Sequence, residues 1–227
     1  MSGSFNLADS SYLKGMEKIL VAGATGTTGK KIVALLKDSE QFTPVAMVRK
    51  KEQQKEFESQ QVATVLADLT EDVSHTTQGI DRVIFAAGSG GKDVVNVDQE
   101  GAKKLIDAAK KERVKKFVML SSMGADHPEA ATELKEYLQA KHNADQYLDI
   151  SGLTFTIVRP GALTNNEGLG KIKLEHKLNE RGEIPRWDVA RTLVKSLDTD
   201  VAKNQAFEIL TGETKIEKAV EDFQVLS

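Results

Sequence analysis

From Glu17 onward, short apolar runs alternate with segments of helical period. Ile19-Leu20-Val21-Ala22, Val45-Ala46-Met47-Val48, Val62 to Ala67 and Val83 to Ala87 each predict a strand. Phe117 to Leu120, Phe155 to Val158 and Phe207 to Leu210 predict three more. Between them, Ile32, Leu35 and Leu36 fall at helical spacing within Thr27 to Leu36. Ala102, Leu105, Ile106 and Ala109 repeat at i, i+3, i+4 and i+7, one face of a helix. Leu134 to Ile150 and Val189 to Leu197 predict two further helices, with Asp188 placed to cap the second. Lys50 to Gln61 is a polar segment.

Continuously apolar strands are expected where helices cover both faces of a parallel sheet. Strands regularly separated by helices build right-handed βαβ units. The pattern therefore predicts one α/β domain, a Rossmann-type doubly wound parallel sheet of about seven strands with helices on both faces. Residues 1–15 read as a leader outside the fold and residues 16–227 as the domain. The leader is loose in composition and lacks a basic stretch followed by an apolar core, so it is not a signal peptide. It is either an expression remnant or a native extension. Leu163 to Pro185 is weakly periodic and carries Gly168, Gly170 and Gly182. It predicts a long connection and a small substrate region, since such connections are often lids or binding loops.

Composition narrows the chemistry. The chain has 227 residues, enough for one sizeable domain, and no cysteine. That excludes disulfides, thiolate metal sites, iron–sulfur ligation and cysteine nucleophiles, and it fits a reducing, cytoplasmic home. A net charge of −3 offers no global field for nucleic acid or anionic lipid. No apolar run approaches the roughly 20 residues of a membrane span. Lys103 to Lys116 is basic, but Asp107 and Glu112 interrupt it above an apolar stripe, so it reads as a solvated helix face. No aromatic residues interleave to stack bases, and nucleic acid is not an expected partner. His75, His127, His142 and His176 have no metal-ligand spacing, and no metal site is expected. Nothing beyond core helices suggests more than a monomer or small homo-oligomer.

The first strand runs directly into Gly23-Ala24-Thr25-Gly26-Thr27-Thr28-Gly29 and then a helix. In this G-x-x-G-x-x-G loop, Gly23 permits a tight turn, Gly26 lets backbone approach a pyrophosphate, and Gly29 lets the helix pack on the strand. The helix N-terminus then offers free N–H groups and a positive dipole to the phosphates. A merely structural turn is the alternative, and the strand-before, helix-after context weighs against it. The second strand ends in Arg49-Lys50-Lys51, with Arg49 26 positions after Gly23. Domains that select NAD place an acidic residue near this point, whereas a basic one accommodates a 2′-phosphate. NADP(H) is therefore the expected cofactor, the alternative being a solvated charge run that opens a helix.

The order of these motifs resembles the atypical branch of the short-chain dehydrogenase/reductase superfamily, whose members include NAD(P)H-binding and sugar-epimerase-like proteins. The resemblance spans Ile19 to Ala219. It rests on Val21 to Gly26, Ala86-Ala87-Gly88, Ser121-Ser122, Tyr137-x-x-x-Lys141, Thr156 to Gly161 and Asp188-Val189-Ala190. It implies that Thr25, Thr27 and Thr28 lie near the phosphates and Asp68-Leu69 near the adenine. It also implies Ala87-Gly88 beside the adenosine ribose, Lys141 on the nicotinamide ribose and Pro160 at the nicotinamide. Asp68 could equally cap the short helix after it, and Arg159 could anchor the turn that follows.

Family catalysis uses a Ser, a Tyr and a Lys. Tyr137 and Lys141 stand i, i+4 on one helical face. The resemblance makes Tyr137 the proton donor or acceptor at a substrate oxygen, with the ammonium favouring exchange of its proton. Ser122 and Ser121 lie 15 and 16 residues before Tyr137; either could hold the substrate, and family placement favours Ser122. The alternative is a Tyr137 that only packs and a Lys141 that only holds cofactor. The short Ser-to-Tyr segment and small C-terminal region argue against a nucleotide-sugar substrate. The expected function is NADP(H)-dependent oxidation or reduction of a small carbonyl or alcohol. The alternatives are a non-catalytic dinucleotide sensor that acts through a protein partner and an NAD(P)-dependent epimerase.

Overall fold

The computed structural model describes residues 15–223. The leader expected at residues 1–15 lies outside the described residues except for its last one. Eleven strands and six α-helices follow. In chain order they begin β1 (Glu17–Ala22), α1 (Thr27–Lys37), β2 (Phe42–Val48), α2 (Lys51–Ser59), β3 (Ala63–Leu66) and β4 (Arg82–Phe85). A π-helical segment, Val94–Glu100, runs into α3 (Gly101–Lys111), then β5 (Lys116–Leu120), α4 (Lys135–Asp149) and β6 (Phe155–Pro160). The chain continues through β7 (Ala162–Thr164), β8 (Lys171–Glu175), β9 (Glu183–Pro185), α5 (Arg186–Lys195), β10 (Gln205–Thr211), β11 (Thr214–Lys215) and α6 (Ile216–Glu221).

The central sheet has nine strands in the order β11-β8-β10-β6-β5-β4-β1-β2-β3. The seven from β3 to β10 are parallel and are the seven that the apolar runs predict. Two strands are additional: β8 pairs antiparallel with β10, and β11 with β8. A separate two-stranded sheet pairs β7 with β9. The segment expected as a long connection thus holds β8 and most of two more strands. Lys171-Ile172-Lys173-Leu174-Glu175 alternates polar and apolar, with Ile172 fully buried. That is the period of a strand buried on one face only, and continuous apolar runs do not detect it.

Successive residues of each parallel strand face opposite sides, and both sides are packed except at β3, which ends the sheet with no buried residue. Ile19 and Val21 of β1 join Ile84, Val118 and Val158 under α1 and α5. Leu20 and Ala22 join Phe85, Phe117 and Met119 under α3 and α4. Ile32 and Leu36, one turn apart on α1, are fully buried, each contributing about 1.5–3 kcal/mol by leaving water.

Two polar expectations are corrected. Lys116 does not extend the solvated face of α3; it opens β5, is fully buried, and donates to the carbonyls of Asp198 and Val201 at 2.7 and 2.6 Å. Asp188 does not cap α5, because Pro185 occupies that position and the helix starts at Arg186. Its buried carboxylate instead accepts the N–H groups of Leu169 and Gly170 at 2.8 and 2.9 Å, tying the loop before β8 to α5.

Candidate active site

The strand order reverses between β1 and β4, and the loops leaving these two strands meet at a crevice. Gly23 stands at φ +85°, and a Cβ there would lie 2.6 Å from the Ala86 carbonyl oxygen and from Ala87. A Cβ on Gly29 would overlap the Gly23 carbonyl oxygen, so this glycine lets α1 seat on the loop. Gly26 caps α1 in extended backbone with no side chain over the helix end. The first turn of α1 carries no acidic residue, so its dipole is left for an anionic ligand. Thr27 and Thr28 open that turn, Thr27 exposed and Thr28 buried.

A cleft of about 350 Å³ runs from this loop along the ends of β2, β3 and β4. Gly23, Thr25, Gly26, Arg49, Asp68, Leu69, Ala87 and Gly88 all line it. These residues come from four separate βα junctions, and the fold brings them together. Asp68 closes a local turn, its Oδ1 accepting both the N–H and the hydroxyl of Thr70 at 2.9 Å. The Thr70 N–H chiefly, with the nearby charges of Arg49 and Lys104, holds its carboxyl below the usual range. Missing side chains at the glycines, free helix N–H groups, a cation at the rim and an apolar floor suit a dinucleotide. Gly23, Gly26 and Arg49 would hold its phosphates, and Leu69 and Ala87 its adenosine.

The other predicted residues gather at the ends of β5 and β6. Ser122 follows β5, and Met123 next to it donates its N–H to the Pro160 carbonyl at 3.0 Å. The Ser121 hydroxyl is buried and donates to Asp145 Oδ2 at 2.8 Å. Ser122 Oγ reaches only the Met123 carbonyl, at 3.3 Å, and so remains available. Tyr137 is half-buried on α4, its ring centroid 5.7 Å from Lys141 Nζ. Lys141 is buried, with the Leu120 carbonyl at 3.4 Å. Ser122, Tyr137, Lys141 and Pro160 do not line the 350 Å³ cleft. A second cavity, of about 600 Å³, is lined by Met123 and Leu138, the residues following Ser122 and Tyr137. Lys177, Asn179, Glu180 and Arg181, from the segment after β8, line it too, with Glu208 of β10.

Sequence reasoning missed three acids here. Arg159 does not anchor a turn; its Nε and a terminal nitrogen each lie 3.0 Å from Asp145 on α4. Burial pushes the Asp145 carboxyl up, opposed by Arg159 and Ser121. Glu208, 1% exposed, accepts the Leu178 N–H at 2.7 Å and so fixes the cavity wall. Asp98, on the π-helical segment, lies 3.3 Å from Lys141 Nζ. A charged residue in an apolar strand, as at Glu208, is a readable signal; Asp98 and Asp145 sit in polar helical sequence with no such contrast. Among the described residues, no helix is long and apolar enough to cross a membrane.

The sequence profile of the family described as NAD(P)H-binding matches residues 23–200. An uncharacterised sugar epimerase of Bacillus subtilis, YhfK, is 41% identical over 211 residues, covering 89% of this chain and 98% of its own. A solved structure from Bacillus halodurans that bears the name of an NAD-dependent epimerase/dehydratase is 39% identical. It superposes with a TM-score of 0.86 and covers 91% of this chain and 100% of its own. Sanguinarine reductase of Eschscholzia californica is 36% identical over 138 residues, 57% of this chain and 50% of its own. Fold, nucleotide cleft and similarity agree: the chain belongs to the NAD(P)H-binding family, of the atypical short-chain dehydrogenase/reductase-like kind.

Proposed function

We propose that the protein is an NADP(H)-dependent oxidoreductase for a small carbonyl compound or its alcohol. The observation that carries this is Tyr137 beside Lys141 on α4, 5.7 Å from ring centroid to Nζ, with Ser122 after β5 and the chain neighbours Met123 and Leu138 lining the 600 Å³ cavity. When bound, the nicotinamide supplies or accepts hydride. Ser122 offers a hydroxyl to a carbonyl oxygen in the cavity. Tyr137 gives that oxygen a proton in reduction and takes it back in oxidation. Lys141 holds the cofactor ribose and steadies the phenol's charge. The segment 177–181 walls the cavity and shapes the substrate. Arg49, at the cleft rim, favours the 2′-phosphate of NADPH.

The reductase name of one relative supports a redox role, and its partial coverage leaves the substrate to this chain's own cavity. The epimerase names of two others favour a second reading, in which cofactor stays bound through a closed cycle. A panel of carbonyl compounds followed by nicotinamide absorbance separates the two. Net consumption of exchangeable NADPH is expected. Tightly retained cofactor without net turnover would favour the epimerase. Capture of a protein partner that depends on cofactor redox state, without turnover, would favour a sensor.

A further inference from the structure

Val94–Glu100 is wound as a π-helix before α3 begins at Gly101. Such turns are rare and frequently sit at functional sites. This one carries Asp98 into the interior, where it is 1% exposed. Its Oδ2 accepts the Ser89 N–H at 2.9 Å, which ties it to the loop lining the dinucleotide cleft. Among the described residues its Oδ1 has no hydrogen-bond partner, and it faces Lys141 Nζ at 3.3 Å. The ammonium therefore sits between a carboxylate, the Leu120 carbonyl and two aromatic rings, those of Phe85 at 6.0 Å and Tyr137 at 5.7 Å. A buried ion pair adds little net stability over apolar residues of the same size, so packing alone does not account for it.

We propose that Asp98 is the counter-ion of Lys141 and sets how strongly that ammonium acts on the Tyr137 phenol. The proposal rests on the role given to Tyr137 above. An isolated ammonium beside a phenol favours the phenolate. A carboxylate against the ammonium turns the charge into a short dipole, and the two fields oppose each other at the ring. The ammonium has three N–H groups and keeps at least one for a ribose hydroxyl. Asp98 touches neither substrate nor cofactor and is a positioning residue. Of the other charges near α4, Asp145 is answered by Arg159 of β6 at 3.0 Å. His127, Lys177 and Glu208 stand around the 600 Å³ cavity. All are unchanged in the variants below, so differences between variants report the pair alone.

The test needs neither cofactor nor substrate. The full chain is titrated by tyrosinate difference absorbance, and subtraction of Tyr137→Phe removes the signals of Tyr12 and Tyr147. Asp98→Asn keeps the shape and removes one charge; the Tyr137 midpoint should fall by about one pH unit. Lys141→Met leaves the carboxylate alone and should raise the midpoint by a similar amount. The double variant should return close to the unmodified protein. No movement in Asp98→Asn, or shifts of one sign in both single variants, overturns the proposal. Should Asp98→Asn not fold, the double variant, which buries no unpaired charge, replaces it as reference. Lys141→Met must then titrate above the double variant, and equality overturns the proposal. Loss of the catalytic role itself would show separately, as full turnover by Tyr137→Phe.

Discussion

The dinucleotide half and the proposed substrate half of this molecule are built on different principles. Around the cleft formed by β1, β2 and β4, recognition belongs mainly to backbone: three glycines, a bare helix end and the turns after strands. At the ends of β5 and β6 the candidate side chains are instead held by buried charge: Asp98 on Lys141 and Asp145 on Arg159, with Glu208 on the Leu178 N–H in the wall of the second cavity. A backbone cradle tolerates change in the residues around it and none at the glycines. A side-chain site can keep its fold while its chemistry is rewritten, which suits a family whose relatives carry both reductase and epimerase names.

The largest expected effect tests the backbone half. Gly26 has φ −72°, which any residue adopts, and a Cβ there would meet only the Gly23 carbonyl oxygen at 3.3 Å. Gly26→Val should therefore fold, yet fill the space a pyrophosphate needs. Losing two charge-assisted hydrogen bonds, at about 1.5–3 kcal/mol each, should weaken NADPH binding by roughly 10²–10⁴-fold. Fluorescence titration checks this, with thermal melting as the control for folding. Gly29→Val should instead destabilise the protein, since its Cβ collides with backbone. Normal cofactor binding by Gly26→Val would move the phosphate site elsewhere.

Next in size is the side-chain half. Tyr137→Phe removes a proton donor and little volume, and should cut turnover of the best carbonyl substrate by roughly 10²–10⁴-fold. Cofactor affinity should hold, because Tyr137 does not line the dinucleotide cleft. Steady-state kinetics with a parallel binding titration check both. Unchanged turnover would remove Tyr137 from the mechanism.

The same division explains what could be read in advance. The seven parallel strands were legible because each spells a largely apolar run, although β3, which ends the sheet, has no buried residue. β8 was not, because it pairs antiparallel and alternates, with Ile172 buried, Leu174 half-buried and its other three residues exposed. The glycine loop was legible because backbone constraints select one residue type. Asp98 and Asp145 were not, since an acid in a polar helix looks solvated until the partner helix or strand is placed. Lys116 misled for a related reason: it continues a basic run in sequence but starts a buried strand in space.

Lys116 offers a third test, at the seam between the halves. It and its neighbour in register, Arg82, hold the connection after α5 to the sheet edge opposite both sites. Burial first, and the Arg82 charge second, push the Lys116 ammonium down to about 7. Below that pH both folded and unfolded states hold the proton, and the native state bears the whole cost of the buried charge. Between about 7 and the ordinary lysine value of about 10.4, the native state releases the proton while the unfolded chain keeps it, so stability rises with pH. At about 1.4 kcal/mol per unit, the full separation corresponds to a gain of up to roughly 5 kcal/mol. Urea denaturation of the protein and of Lys116→Met at a series of pH values should show their difference growing in favour of lysine over that window. A constant difference would mean that the ammonium is not desolvated. Cofactor selectivity should not respond to this change.

Arg49 is the smallest effect and the exception within the backbone half. It follows β2 at the cleft rim, exposed, and only its backbone N–H is tied down locally, donating to Gln53 Oε1 at 3.0 Å. Among the described residues its guanidinium has no hydrogen-bond or ion-pair partner, and its charge acts on Asp68 across the cleft. A free, planar, bidentate cation at this point suits a phosphate ester better than a ribose hydroxyl. One charge-assisted contact of about 1.5–3 kcal/mol gives NADPH a preference over NADH on the order of 10-fold or more. Arg49→Asp removes that contact and sets a second carboxylate near Asp68, which repels a 2′-phosphate and can accept hydrogen bonds from the ribose hydroxyls of NADH. Dissociation constants for both cofactors should then cross, with NADPH losing most of the ground, while the melting temperature stays put because the side chain is exposed. Equal constants for the two cofactors in the unmodified protein would leave Arg49 as a surface charge. Recognition in that half would then be backbone throughout.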